Sequence, residues 1–190
     1  MSTRHDPDPA AQAPGGILVR DAEVDDATEI TKAHVRAWQV AYRGIMPDRY
    51  LDELSDELAG QSQRRRRHIA APDEPRVFNL VAEQEGAVVG WLASGPCRDE
   101  DAHERQGEIW AIYVHPESWR TGAGGALMAA AIKRLTDDGY SEASLWVFEA
   151  NSRARRFYER FGWRTDGASE LFERGGGQAI EIRYRLPLTG

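Results

Sequence analysis

The residues whose types and spacing best suit chemistry lie between Glu108 and Leu127, E-I-W-A-I-Y-V-H-P-E-S-W-R-T-G-A-G-G-A-L. Ile109 to Val114 is a short apolar run rich in β-branched and aromatic residues, which predicts a buried strand. His115-Pro116 stops it, because proline cannot donate to a ladder and restricts the residue before it. Trp119 to Gly125 reads as a glycine-rich loop. From Ala126 the pattern is helical, with Leu127, Ala130, Ala131 and Leu135 on one face until Asp137-Asp138-Gly139. A strand, a glycine loop and a helix N-terminus together turn backbone N–H groups and the positive end of a helix dipole toward an anion. The ligand group that suits this device is a phosphate or pyrophosphate. A P-loop would need Lys-Ser or Lys-Thr after the glycines, and neither is present. A Rossmann fingerprint would need glycine or alanine where Leu127 stands.

A second stretch narrows the choice. Leu145 to Val147 is strand-like, and Asn151-Ser-Arg-Ala154-Arg-Arg-Phe157-Tyr158-Glu-Arg-Phe161-Gly162-Trp163 follows it as a helix and its close. The two stretches resemble the paired coenzyme motifs of the GCN5-related N-acetyltransferases. In that family the first motif is Arg/Gln-x-x-Gly-x-Gly/Ala, and the second is an Asn, a helix with an aromatic-Tyr pair, and a closing Gly-Phe or Gly-Trp. Gly122 and Gly124 take the two glycine places, while Trp119 stands in the first place with Arg120 one position later. The motifs span Glu108 to Trp163, and the likeness extends from Ile17 to Leu186.

The resemblance implies an N-acetyltransferase with acetyl-CoA as cosubstrate and no metal, moving the acetyl group directly to a primary amine in a ternary complex. It implies an α/β fold with a central mixed, mostly antiparallel sheet, splayed at the acyl-CoA site and flanked by helices. It places acyl-CoA along Ile112, Tyr113 and Val114, around Arg120, Thr121, Gly122, Ala123, Gly124, Gly125 and Ala126, and against Asn151 and Tyr158. Backbone N–H groups near Tyr113 and Val114 would stabilise the oxyanion. Glu108 takes the place of the general base in some members; the alternative is a solvated strand-edge carboxylate. Tyr158 takes the place of the general acid toward the departing thiolate; the alternative is core packing within the Phe157, Tyr158, Phe161 cluster. Asn151 reads equally as a helix N-cap. The first two helices would wall the acceptor pocket with Trp38, Tyr42, Met46 and Tyr50, and the acidic loop Asp99-Glu100-Asp101 would stand at its mouth. Such a slot would suit a cationic amine, on a small molecule or on a protein. A homodimer through the last strands is also implied. The rival from another class is a noncatalytic acyl-CoA-binding regulatory module.

These residues need a scaffold, and the chain's 190 residues suit one domain. A Pro-, Ala- and Asp-rich stretch from Met1 to Gly16 predicts a disordered tail, leaving 17–190 as the domain. Ile17 to Arg20 is a first strand; Asp25 or Asp26 caps a helix ended by Gly44; Met46-Pro47-Asp48 starts another, with a continuation over Gln61 to His68. Val77 to Glu83 and Val88 to Ser94 read as strands joined at Glu85-Gly86. Trp163 to Asp166 and Ile180 to Leu186 read as the last two, with Leu171 to Gln178 as a turn or loop. The formal charge of −7 speaks against nonspecific nucleic-acid binding, and no apolar run is long enough for a bilayer. A single cysteine, Cys97, excludes an internal disulfide, lacks a recognisable base partner, and predicts a cytoplasmic setting, while the lack of a bilayer-long apolar run predicts no membrane association. The run Arg64 to Arg67 is expected to be a solvated helix face pairing with acids. His34, His68, His103 and His115 show no metal-ligand spacing.

Overall fold

The computed structural model describes residues 16–72 and 75–188; the tail expected over Met1 to Gly16 lies, apart from Gly16, outside them. Seven strands form one sheet: β1 (Ile17–Asp21), β2 (Phe78–Gln84), β3 (Ala87–Pro96), β4 (Gln106–Val114), β5 (Glu142–Phe148), β6 (Arg164–Arg174) and β7 (Gly177–Pro187). The order across the sheet is β1-β2-β3-β4-β5-β7-β6. Every neighbouring pair is antiparallel except β4 and β5, so the sheet is mixed and mostly antiparallel, as expected. Five α-helices flank it: α1 (Ala27–Ala41), α2 (Asp48–Glu53), α3 (Leu58–Ala70), α4 (Ala123–Asp137) and α5 (Ser152–Arg160).

Side-chain alternation along the strands explains the layers. Phe78, Leu80, Ala82 and Leu92 point to the face covered by α4 and α5, where Leu127, Met128, Ala131, Leu135, Tyr158 and Trp163 are buried with them. Val81, Trp91 and Ala93 point to the other face, against Ile30 of α1. A third cluster closes the end of that face with Trp38, Met46, Leu51 and Phe148.

Several boundaries differ from those read in the sequence. The helix expected from Ala126 begins at Ala123, so Gly124 and Gly125 lie in its first turn. The continuation expected over Gln61 to His68 is a separate, longer helix, α3. Leu171 to Arg174, expected in a loop, belongs to β6, and only Gly175-Gly176 makes the turn into β7. There the chain passes close to α2. A Cβ on Gly175, whose φ is +58°, would collide with the Tyr50 ring, and one on Gly177 would collide with Pro47. Glycine is needed at this tip both for the turn and for the close approach.

Candidate active site

The site is built around an opening in the sheet. β4 pairs with β5 only from Gln106 to Glu108, opposite Glu142 to Ser144; beyond that the two strands diverge. A register shift between Ala93 and Ser94 leaves Trp110 as an extra residue in β4. This bulge puts Trp110 and Ala111 on the same face, breaking the ordinary side-chain alternation of a strand. The β4 edge from Ile109 to Val114 therefore lacks a β5 partner, and this stretch includes Ile112, Tyr113 and Val114.

On the α4 side, the opening leads to the glycine loop. Gly122 is the N-cap of α4 at φ +102°, no side chain caps the helix, and no acidic residue stands in its first turn. The first intrahelical bond runs from the Ala126 N–H to the Gly122 carbonyl, at 2.9 Å, so the N–H groups of Ala123, Gly124 and Gly125 precede the helical ladder. Arg120, at φ +70°, and Thr121 complete the loop, and the Thr121 hydroxyl donates to the Ser118 carbonyl at 2.9 Å. Trp119, in the motif's first place, donates its indole N–H to the Val114 carbonyl at 2.8 Å and ties the loop to the end of β4. The Arg153 guanidinium lies 3.2 Å from the centroid of the Trp119 ring. Burial, and then the charge of Arg120, lower its pKa. An uncapped helix start beside two arginines is the donor set that a pyrophosphate requires, so these residues fit the phosphates of acetyl-CoA. Asn151 accepts from the Ala154 N–H at 3.1 Å and is the N-cap of α5.

Three phenols converge on the opening. Tyr113 interacts with Tyr42 and Glu181 on the α1 face, while Tyr158, buried on α5, interacts with both Tyr113 and Tyr42. Burial, and then the neighbouring Tyr113, push the Tyr158 phenol well above its ordinary value, so it stays protonated. Sequence reasoning missed Glu181. It lies on β7 opposite Phe148, the last residue of β5. Burial, and then the charge of Glu170, push its carboxyl up to about 7. The alternation of Ile180 to Leu186 with charged residues made Glu181 look like a solvent-facing strand residue. Glu108 is placed differently from the expectation. It is buried; its Oε1 accepts from Arg98 Nη2 at 2.8 Å, and its Oε2 accepts from the Arg98 backbone N–H at 3.0 Å and from Nε at 3.1 Å. Both carboxylate oxygens are already engaged.

On the α1 side lies a cavity of about 810 Å³, lined in part by Trp38, Tyr50, Trp91, Trp110 and Ala111. Trp38 and Tyr50 thus stand where the acceptor wall was expected. Met46 is buried in the core, and Tyr42 packs on Phe148 with ring centroids 4.7 Å apart rather than lining the cavity. The acidic loop is not at the mouth. Asp99 and Asp101 instead hold Arg183, at 3.0 and 2.6 Å. The arginine run is only partly a solvated face. Arg66 pairs with Asp25 at 2.8 Å and Arg64 approaches Glu57 at 3.7 Å, but Arg65 turns inward over the Trp91 ring at 3.9 Å. Cys97 is held 3.2 Å from the Ser144 hydroxyl, and burial pushes its thiol up, as suits a structural residue.

The model of the Acetyltransferase (GNAT) family matches residues 34–163. An uncharacterized N-acetyltransferase of Bacillus subtilis, YuaI, is 34% identical over 171 residues, covering 90% of this chain and 93% of that protein. A probable N-acetyltransferase of Mycobacterium tuberculosis is 28% identical over 180 residues, covering 91% and 95%. In fold, the chain is similar to the crystal structure of the PaiA N-acetyltransferase of Thermoplasma acidophilum in complex with coenzyme A. The TM-score is 0.68 at 18% identity, over 87% of this chain and 97% of that one. With the family model matching well over half of its length around this split sheet and uncapped glycine loop, the chain belongs to the GNAT family of acetyl-CoA-dependent acetyltransferases.

Proposed function

We propose that this protein is an N-acetyltransferase that moves the acetyl group of acetyl-CoA directly to a primary amine, on a small molecule or a protein, with both substrates bound at once. One observation carries the reading. The unpaired stretch of β4 runs from the wall of the cavity, at Trp110 and Ala111, to the glycine loop, at Val114. A donor entering along the loop and an acceptor seated in the cavity would meet across the same strand, with no need for an intermediate carrier.

Bound acetyl-CoA supplies the acetyl thioester; the chain supplies position and protons. Ala123, Gly124 and Gly125 hold the pyrophosphate through their N–H groups, with Arg120 and Arg153 beside them. The free N–H groups of β4 near Tyr113 and Val114 bind the carbonyl oxygen as it gains charge. Glu181, rather than the occupied Glu108, takes the proton that the ammonium must lose before its nitrogen can form the amide bond. As the carbon–sulfur bond breaks, Tyr158 gives its proton to the sulfur. Burial keeps that phenol protonated until then.

Calorimetric titration with acetyl-CoA, followed by thiol release on adding an amine panel, tests this reading. Acetyl-CoA should bind, and Arg153→Ala should weaken that binding about tenfold, a loss of roughly 1.4 kcal/mol. Thiol release should depend on the amine. Failure to bind acetyl-CoA would overturn the assignment. Binding with no release from any amine would favour a noncatalytic acyl-CoA-binding module.

A further inference from the structure

The cavity on the α1 side is not the cationic-amine slot that its aromatic walls suggest. Four arginines line it, Arg64, Arg65, Arg98 and Arg174, against two carboxylates, Glu53 and Glu57. Most of these charges are answered locally. Arg98 is bound to Glu108 at 2.8 Å, Glu53 to Arg49 at 2.7 Å, and Glu57 stands 3.7 Å from Arg64.

Arg65 is different. Its guanidinium lies over Trp91, donates from Nε to the Thr31 hydroxyl and from Nη2 to His34 Nδ1, both at 3.2 Å, and has no carboxylate partner among the described residues. The imidazole that receives it carries no balancing charge. Burial first, then the charges of Arg65 and Arg174, pull His34 down to about 3, so it is neutral and its Nδ1 accepts. Burial also pulls Arg65 itself down to about 10, still charged at neutral pH. Arg174 reaches the same imidazole electrostatically from the end of β6, and it too has no carboxylate partner among the described residues. Two guanidinium groups without a carboxylate partner among the described residues, Arg65 half-buried and Arg174 exposed at the end of β6, thus line the same large concave site as one neutral histidine, within a chain whose formal charge is −7. A guanidinium half removed from water without a counter-ion is destabilising unless a ligand supplies the anion. Its planar donor fork matches the two oxygens of a carboxylate or a phosphate-type group.

We propose that the acceptor carries an anionic group, a carboxylate or a phosphate-type oxyanion, that binds Arg65 and Arg174 while its amine reaches toward the opening at β4. The proposal rests on the acetyltransferase reading and narrows its substrate class to amino acid-like or phosphoamine-like small molecules. Trp38, Trp91 and Trp110 then serve as walls for the apolar part of the acceptor.

The test compares matched amines that differ only in charge: α-amino acids against their α-amides, and O-phosphoethanolamine against ethanolamine. Thiol release from acetyl-CoA is followed for each, and acetyl-CoA binding is measured separately by calorimetry. The anionic member of at least one pair should have a kcat/KM at least about tenfold above its neutral partner. Arg65→Met keeps the apolar stem over Trp91, and it should erase that discrimination by raising KM for the anionic member, with acetyl-CoA binding retained. Arg174→Gln, on an exposed strand end, should act in the same direction and guards against a folding defect in the first variant. If acetyl-CoA binds but no anionic amine releases thiol, or neutral and cationic amines are used as well or better, the proposal is overturned while the acetyltransferase reading stands. Loss of acetyl-CoA binding to the unmodified protein would instead overturn the reading beneath it.

Discussion

Glu181 shows how a single residue can be legible as a type and illegible as a role. In the sequence it is one charged residue of an alternating strand; in the structure it lies half-buried opposite Phe148, within electrostatic reach of Tyr42 and Tyr113, with its carboxyl pushed up to about 7. A base of this kind is protonated and idle in acid and competent above neutrality, so kcat should rise with pH through about 7. Glu181→Gln should lower kcat about 10²-fold and remove that limb from the pH profile, whereas Glu108→Gln should leave the limb in place. The stability effect runs the other way. A carboxyl raised by burial disfavours the folded state once it ionises, so Glu181→Gln should be more stable than the parent at pH 8 and no more stable at pH 4. Thermal unfolding of both proteins at the two pH values checks this. The family motifs singled out Tyr158, Gly122 and Gly124 as candidates, because a motif fixes spacing along the chain. They could not mark Arg65, whose inward turn depends on Trp91, Thr31 and His34 arriving from elsewhere in the chain.

Among the elements, the last hairpin departs most from its sequence reading. Gly175-Gly176-Gly177 looks like the centre of a loose loop, yet β6 continues to Arg174 and β7 starts at Gly177. The tip is held against Tyr50 and Pro47, and this contact brings Arg174 to the cavity. Gly175→Ala would place a methyl group into the Tyr50 ring and demand a positive φ from alanine. It should lower stability by about 1–2 kcal/mol and raise the acceptor KM with little change in acetyl-CoA affinity. Chemical denaturation and substrate saturation curves would show both effects. The helix after the glycine loop reads in the sequence as starting at Ala126, three residues later than it does. A helix whose first turn is Ala123-Gly124-Gly125 offers no side-chain cap and no apolar periodicity to mark its start.

Across the whole molecule, the β5–β7–β6 half of the sheet is fastened to the loop before β4 by charges. Arg183, nearly buried, contacts Asp99, Asp101 and Asp166 at 3.0, 2.6 and 2.8 Å, and Arg185 adds Asp101, Asp166 and Glu142. The Asp99 carboxylate also accepts from the Trp146 indole at 2.8 Å. The acidic loop is thus a clamp across the outside of the opening rather than a substrate gate. A hydrogen bond from Arg183 holds Asp101 below the ordinary carboxylate range, and for Asp166 desolvation is outweighed by the Ala168 N–H and by Arg183, which together hold it low as well. Their contribution is present above that range and is lost as pH falls through it. Arg183→Met should therefore lower Tm by about 5 °C or more at neutral pH and flatten the acid limb of the stability profile. A pH series of thermal melts on the two proteins would reveal an unchanged limb if the clamp contributed nothing.

The sequence by itself determined the family, through its two motifs, and through that resemblance the mixed sheet with its flanking helices. Both rest on motifs whose spacing survives any change of surroundings, while periodicity and proline and glycine placement marked only the individual strands and helices. Only the tertiary structure decided that Glu181 lies half-buried opposite Phe148, that the acidic loop faces Arg183 and Arg185, and that the cavity on the α1 side is lined by Arg65 and Arg174. Each of these is a relation between residues far apart in the chain, Glu181 with Tyr42, Asp99 with Arg183, Arg65 with Trp91, and desolvation and ion pairing act on spatial neighbours.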